Sequence, residues 1–198
     1  MTFEGIDGSG KSTQAALLAD WVRGQGHEVV AVREPGGTPL GERIRELLLD
    51  GPEMTAWAEA ALFAAARAEL AGRVILPALD LGAWVICDRY VDSSLAYQGA
   101  ARGLGVDAVR DLNAAATGGL LPDRTFVLLV DPEVALGRRG ARPDRIERED
   151  ADFVRRVDRG YRDLAAASPE RIVVLDGSLP PEELAERVRA EFLPTVRA

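Results

Sequence analysis

Gly5, Gly8, Gly10, Lys11 and Ser12 stand at the spacing G-x-x-x-x-G-K-S within the stretch TFEGIDGSGKST. Glycines let a backbone turn so that successive N–H groups point inward. A following helix adds partial positive charge at its N-terminus, and a lysine on a flexible stem reaches the outer phosphates of a nucleoside triphosphate. Gly5, Ile6, Asp7, Gly8, Ser9, Gly10, Lys11, Ser12 and Thr13 are therefore expected to cradle ATP, with Ser12 offering its hydroxyl to Mg²⁺. Lys11 is the only lysine of the chain, against 23 arginines. A compact ammonium and a planar guanidinium fork are not interchangeable in a tight phosphate loop, so this exception marks a site where arginine does not serve. The same count argues against a guanine-reading Asn-Lys-x-Asp element, which needs a second lysine.

Four further groups bear on what the triphosphate is used for. In VREPGGTPLGERIR, 32–45, Arg33, Glu34 and Arg45 border a Pro-Gly-Gly turn at a strand end, and ligand sites of open parallel sheets lie beyond such ends. Arg45 alone would equally suit a solvated helix face. In LFAAARAEL, Phe63 and Arg67 are four residues apart on one helical face, where they can stack on and hydrogen-bond a planar base or simply pack. In VICDRYVDSSLAYQGAARG, 85–103, Asp88 ends an apolar strand as a carboxylate suited to Mg²⁺, with Asp131 after FVLLV as its rival, and Arg89 can clamp an acceptor phosphate. The glycine-rich loop GRRGARPDRIERED, 137–150, carries Arg138, Arg139, Arg142 and Arg145, which can close over a transferring phosphoryl group or form a merely solvated lid.

The elements that must hold these groups are legible as alternating apolar strand runs and helical periods, the pattern of a parallel sheet covered on both faces. Strands are expected at TFE, 28–33, 83–88, 124–131 and 171–176. Thr38 before Pro39, Thr55, and Asp107 read as helix N-caps, Gly118-Gly119 as a stop, and Pro180-Pro181 as the start of the last helix. The first strand is short, with four residues before Gly5, where interior strands run about five or six. That predicts either a natural start further upstream or a frayed strand.

The totals narrow the class. The chain of 198 residues, 47% hydrophobic, is expected to form one domain over 1–198 with a lid at about 137–150 inside it. A net charge of -8 argues against a nucleic-acid or anionic-membrane binder. No apolar run suggests a membrane span and no leader precedes the motif, which points to the cytoplasm. The single cysteine, Cys87, reads as a core residue, and the single histidine, His27, as an exposed turn residue, so His-dependent triads and His metal clusters are excluded.

Taken together and in order, TFEGIDGSGKST, REPGGTPLGERIR, LFAAAR, CDRYVDSSLAYQG and DRIERED resemble the bacterial thymidylate kinases, across nearly the whole chain. The resemblance implies the reaction ATP + dTMP ⇌ ADP + dTDP, a three-layer α/β/α P-loop fold with a five-stranded parallel sheet, Mg²⁺ and a homodimer. It implies that Phe63 stacks on thymine, that Arg67 donates to its carbonyl, and that Gln98 and Ser94 contact the base. By the same resemblance Tyr97 crowds the 2′ side of the sugar, and Arg89 and Arg45 hold the acceptor phosphate. Glu34 lies near the phosphate and metal end, and Asp7 near the acceptor's sugar and phosphate. Catalysis would fall to Lys11, Arg89 and the lid arginines Arg138, Arg139 and Arg142, with Ser12 and Asp88 at the metal. Another nucleotide or deoxynucleoside kinase, and a P-loop ATPase switch, are the alternatives.

Overall fold

Four runs rich in valine, isoleucine and leucine, and the short Thr-Phe-Glu run near the N-terminus, pair side by side in the computed structural model, which describes residues 1–138 and 143–196. They are β1 (Thr2–Glu4), β2 (Val29–Arg33), β3 (Trp84–Asp88), β4 (Thr125–Leu129) and β5 (Ile172–Asp176), all parallel, in the order β2-β3-β1-β4-β5. β1 coincides with the expected TFE, and the other four strands lie within the expected runs, trimmed by one or two residues at their ends. The connections carry α1 (Lys11–Gly24), α2 (Pro39–Asp50), α3 (Ala56–Leu70), α4 (Leu76–Asp80), α5 (Val91–Ser94) and α6 (Val106–Thr117). After β4 come α7 (Pro132–Gly137), α8 (Ala151–Ala167) and α9 (Pro181–Val196). Two π-helical stretches, Ala71–Ile75 and Leu95–Ala101, join α3 to α4 and extend α5.

Side chains alternate across a strand, so the sheet has two cores. Phe3, Ile86, Phe126 and Leu128 face Leu18, Val22, Val188 and Phe192 of α1 and α9. Val85, Cys87, Val127 and Ile172 face the layer built from α3, α6, α8 and the second π stretch. Phe3 is fully buried with its ring 5.2 Å from that of Phe126, and burying such a side chain is worth about 1.5–3 kcal/mol.

The expectation of a frayed first strand fails. Short as it is, β1 occupies the centre of the sheet, and its pairing with β3 is continued by Cys87 N to Met1 O at 3.0 Å and Arg89 N to Phe3 O at 3.0 Å. Three residues suffice because both neighbours bind them and none is exposed.

Thr38 and Thr55 cap as expected, accepting from Gly41 N at 2.9 Å and Ala58 N at 3.3 Å. Asp107 does not cap. The helix starts two residues earlier than that cap implies, with Gly105 at the cap position, and Asp107 lies in the first turn paired with Arg110. Gly118 closes that helix in the left-handed conformation. Among the described residues, no helix is long and apolar enough to cross a membrane.

Candidate active site

The strand order reverses about β1, and beyond the C-terminal ends of β1, β2 and β3 lies a cavity of about 760 Å³. The loop after β1 forms one end of it through Asp7, Gly8, Ser9, Gly10, Lys11, Ser12 and Thr13. Gly5 and Ile6 lie beneath, and their carbonyls are used: Gly5 O accepts from Arg89 Nη1 at 3.0 Å and Ile6 O from Lys11 Nζ at 2.9 Å. Gly8 has a specific reason to be glycine, since its φ is +85° and a Cβ there would stand 2.3 Å from Ala135 O of α7. Lys11 is 6% exposed, and burial, then the nearby Arg89 charge, lower its pKa to about 8 despite Asp7, Asp88 and the neighbouring Glu4. An ammonium so held gains from any anion brought into the loop.

Ser12 and Asp88 meet, with Ser12 Oγ donating to Asp88 Oδ2, while Asp88 Oδ1 is buried without a hydrogen-bond partner among the described residues. The rival Asp131 is used otherwise: its Oδ1 accepts from Glu133 N at 2.8 Å and caps the start of α7, away from the cavity lining. Among the described residues no cluster of three or more His, Cys, Asp or Glu could hold a metal unaided. A serine hydroxyl and one carboxylate with an orphaned oxygen instead suit Mg²⁺, which takes few protein ligands and completes its shell from phosphates and water.

Arg89 follows Asp88 at φ 70°, a left-handed conformation rare for a side chain of this size and worth roughly 1–3 kcal/mol of strain. Its guanidinium pairs with Asp7, donates to Ser93 Oγ at 3.1 Å, and lies over the Tyr97 ring at 5.2 Å from the centroid. Tyr97 and Lys11 also approach Asp7, at 3.4 and 3.9 Å. Asp7 is thus the common counter-ion of the loop's lysine and the strand-end arginine. Arg45 reaches the same cavity and donates to Pro35 O at 2.9 Å.

At the far end Phe63 lines the cavity half-buried, beside Arg67, Ser94 and Gln98. Arg67 is 1% exposed and every donor is taken: Nε and Nη2 by Glu34, Nη1 by Ser94 Oγ at 2.9 Å and by Asn113 Oδ1, and Nη2 also by Tyr90 O at 2.9 Å. Burial raises the Glu34 pKa and the Arg67 charge opposes it, and Glu34 Oε1 has no partner among the described residues. Gln98 donates to Glu59 Oε1 at 2.9 Å.

Of the loop arginines, Arg138 lines the cavity and donates to Gly177 O at 3.1 Å and Gly8 O at 3.4 Å. Arg139 and Arg142 lie outside the described residues. Arg145 does not belong with them. It is buried, ion-paired to Glu59 at 2.8 Å, and donates from its Nε to Leu48 O at 2.9 Å. It pins the far end of the loop to α2 and α3. Sequence reasoning missed Glu59, which collects Gln98, Arg102 and Arg145 inside an alanine-rich helix, and it missed Glu4, Ser93 and Tyr161. The signal for Glu4 was available: a carboxylate ending a central strand whose other residues are apolar or small.

Residues 3–188 match the family model described as thymidylate kinase. The chain is 50% identical over 198 residues to a thymidylate kinase of Synechococcus sp. (strain JA-3-3Ab), covering all of this chain and 97% of that protein. It is 52% identical over 192 residues to one of Symbiobacterium thermophilum, covering 96% and 90% of the two. The crystal structure of thymidylate kinase from Ehrlichia chaffeensis superposes with a TM-score of 0.82 at 34% identity, over 97% of this chain and 96% of that one.

Proposed function

The chain belongs to the thymidylate kinase family, and on that premise we propose that it transfers the γ-phosphate of ATP to dTMP, giving dTDP. The observation that carries this reading to the residues is the single cavity running from the glycine loop to Phe63, with a second cationic group, Arg89, between its two ends. Such a cavity offers one anion cradle for a donor, a second for an acceptor, and an aromatic slot for a flat base.

A monophosphate oxygen is already anionic near neutral pH, so the acceptor needs no general base, and the one histidine, His27, is exposed and outside the cavity lining. The work left to the protein is to align two phosphates and to neutralise charge as the phosphoryl group moves. Lys11 and the loop amides hold the donor's outer phosphates. Arg89, held by Asp7, and Arg45 hold the acceptor's phosphate, and Arg138, with Arg139 and Arg142, serves the group in transit. Phe63 stacks on the base with Ser94 and Gln98 beside it, and Tyr97 borders the sugar. Arg67 reaches the base by exchanging Ser94 or Asn113 for a base carbonyl, and Glu34 holds it in place. Ser12 and Asp88 would hold Mg²⁺, which when bound neutralises triphosphate oxygens. A homodimer is part of the proposal, supported by apolar side chains on α2 and α3 that are about half exposed: Leu40 and Leu47, seven residues apart on one helix, and Trp57.

Coupled ADP release measured with dTMP, dUMP, dCMP, dGMP and AMP tests the reading. A clear preference for dTMP is expected. Equal turnover of all five, faster turnover of thymidine than of dTMP, or ATP hydrolysis that needs no nucleotide acceptor would overturn it.

A further inference from the structure

Glu4 lies in the middle of the sheet with no exposed surface, and carboxylates are almost never buried so completely without a task or a paired cation. Its nearest partners are not cations. Oε1 accepts from Tyr90 N at 2.7 Å, and Oε2 accepts from Ser93 Oγ and from Tyr161 OH, the latter at 2.9 Å.

These three donors surround one residue. Arg89 N closes the β1–β3 ladder on Phe3 O, and the next amide, Tyr90 N, has left the ladder and is taken by the Glu4 carboxylate. The left-handed turn at Arg89 is thus bracketed by a backbone bond on one side and a carboxylate bond on the other. Ser93 Oγ, which Glu4 holds, in turn accepts from Arg89 Nη1 at 3.1 Å, and Gly5 O accepts from the same nitrogen. Tyr161 reaches this point because Gly160 lets α8 come close to the π stretch, where a Cβ would stand 3.2 Å from Ala96 Cα.

We propose that Glu4 is the positioning residue of Arg89: by binding Tyr90 N and Ser93 Oγ it fixes both the left-handed turn at Arg89 and the aim of its guanidinium into the acceptor end of the cavity. It touches no substrate itself. The inference rests on the reading of Arg89 as the acceptor-phosphate clamp.

Glu4→Gln keeps an acceptor for Tyr90 N and disturbs the hydroxyl side. In steady-state kinetics at saturating co-substrate, the acceptor's kcat/KM should fall roughly 10- to 100-fold, the scale on which small misplacements act. The KM for ATP should stay within about twofold, because the glycine loop does not depend on Glu4 for its amides. With Arg89→Ala already in place, Glu4→Gln should cost less than about twofold more. A full additive loss in the double variant, or KM values for ATP and acceptor that rise together, would overturn the proposal, as would unchanged kinetics. Should Glu4→Gln fail to fold by circular dichroism, Ser93→Ala carries the same test, since it removes the bridge from Glu4 to the guanidinium. An unchanged acceptor KM there is equally fatal. The wild-type acceptor panel separates the two readings: if another monophosphate proves to be the substrate, the family-level function fails, while the split between acceptor and ATP constants still decides the role of Glu4.

Discussion

At the scale of the residue, the one lysine and the buried arginine make opposite predictions. Lys11 is confined under the loop at a lowered pKa, and among the described residues its one hydrogen-bond acceptor is Ile6 O, so its charge serves an incoming anion more than the fold. Lys11→Ala should abolish most turnover, by at least about 10³-fold given what a phosphate-directed cation contributes to such chemistry, while leaving the melting temperature unchanged or higher. Arg67 is the reverse. Its guanidinium fills five acceptor contacts inside the protein, and Arg67→Ala would strand Glu34 as an unpaired buried carboxylate, a loss of about 3–5 kcal/mol that calorimetry would register before any kinetic effect could be read. Phe63 is the cleaner probe of the base slot, being half-buried and a cavity wall. Phe63→Ala should raise the dTMP KM roughly tenfold, the scale of one base–aromatic stack, with the ATP KM unchanged. A KM for dTMP that does not move would remove Phe63 from the site.

At the scale of the element, what the sequence made legible is whatever depends on local pattern. Apolar runs gave five strands, threonines gave two caps, and the glycine spacing gave the loop, because each is written within a few consecutive residues. What stayed hidden depends on contacts across the chain. Arg145 looked like its neighbours in a basic loop, and only the packing of α3 shows it sealed against Glu59, 86 positions away in sequence. Glu4 looked like the last residue of a short strand until α8 brought Tyr161 to it. The Glu59 cluster also yields a test of the element it anchors. Glu59 takes Arg102 and Arg145 together, at 3.1 and 2.8 Å, and its pKa is lowered by those hydrogen bonds and charges in spite of burial. Glu59→Ala should therefore destabilise by about 3–5 kcal/mol, since buried Arg145 loses its carboxylate while Arg102 keeps only Glu149. In a chain of this size that is a melting temperature lower by roughly 10 °C. A shift of about a degree would mean that solvent or other carboxylates replace Glu59 without cost.

At the scale of the whole molecule, the charge of -8 makes the protein a poor general host for anions, so nucleotides must find the few places where cations are gathered and held. If Leu40, Leu47 and Trp57 are covered by a second copy, light scattering should give twice the chain mass, and Leu47→Glu should halve it; a wild-type mass of one chain would remove the dimer. The buried carboxylate at the centre sets a further global property. Burial, then the nearby charge of Asp92, raise the Glu4 pKa to about 7 from the 4.5 of a free side chain, against the hydrogen bond from Ser93 and the charge of Arg89. Around it, Asp92 is itself paired with Arg171, Tyr161 is held neutral by burial, and Lys11 and Cys87 stand on the neighbouring α1 and β3. Between those two values the unfolded chain has released the proton and the folded chain has kept it, so rising pH favours unfolding. The contribution of Glu4 is therefore most favourable below about pH 4.5, declines as pH rises, and has lost of the order of 3 kcal/mol once pH passes about 7. Glu59 and other carboxylates with lowered pKa slope the opposite way, so the measurement must be a difference. Urea melts of wild type and Glu4→Gln at pH 5 and pH 8 should show the variant gaining on the wild type by about 2–3 kcal/mol across that interval, because an amide has no proton to lose. A difference that stays constant with pH would mean that Glu4 is ionised throughout, its charge carried by Arg89 more completely than its burial allows.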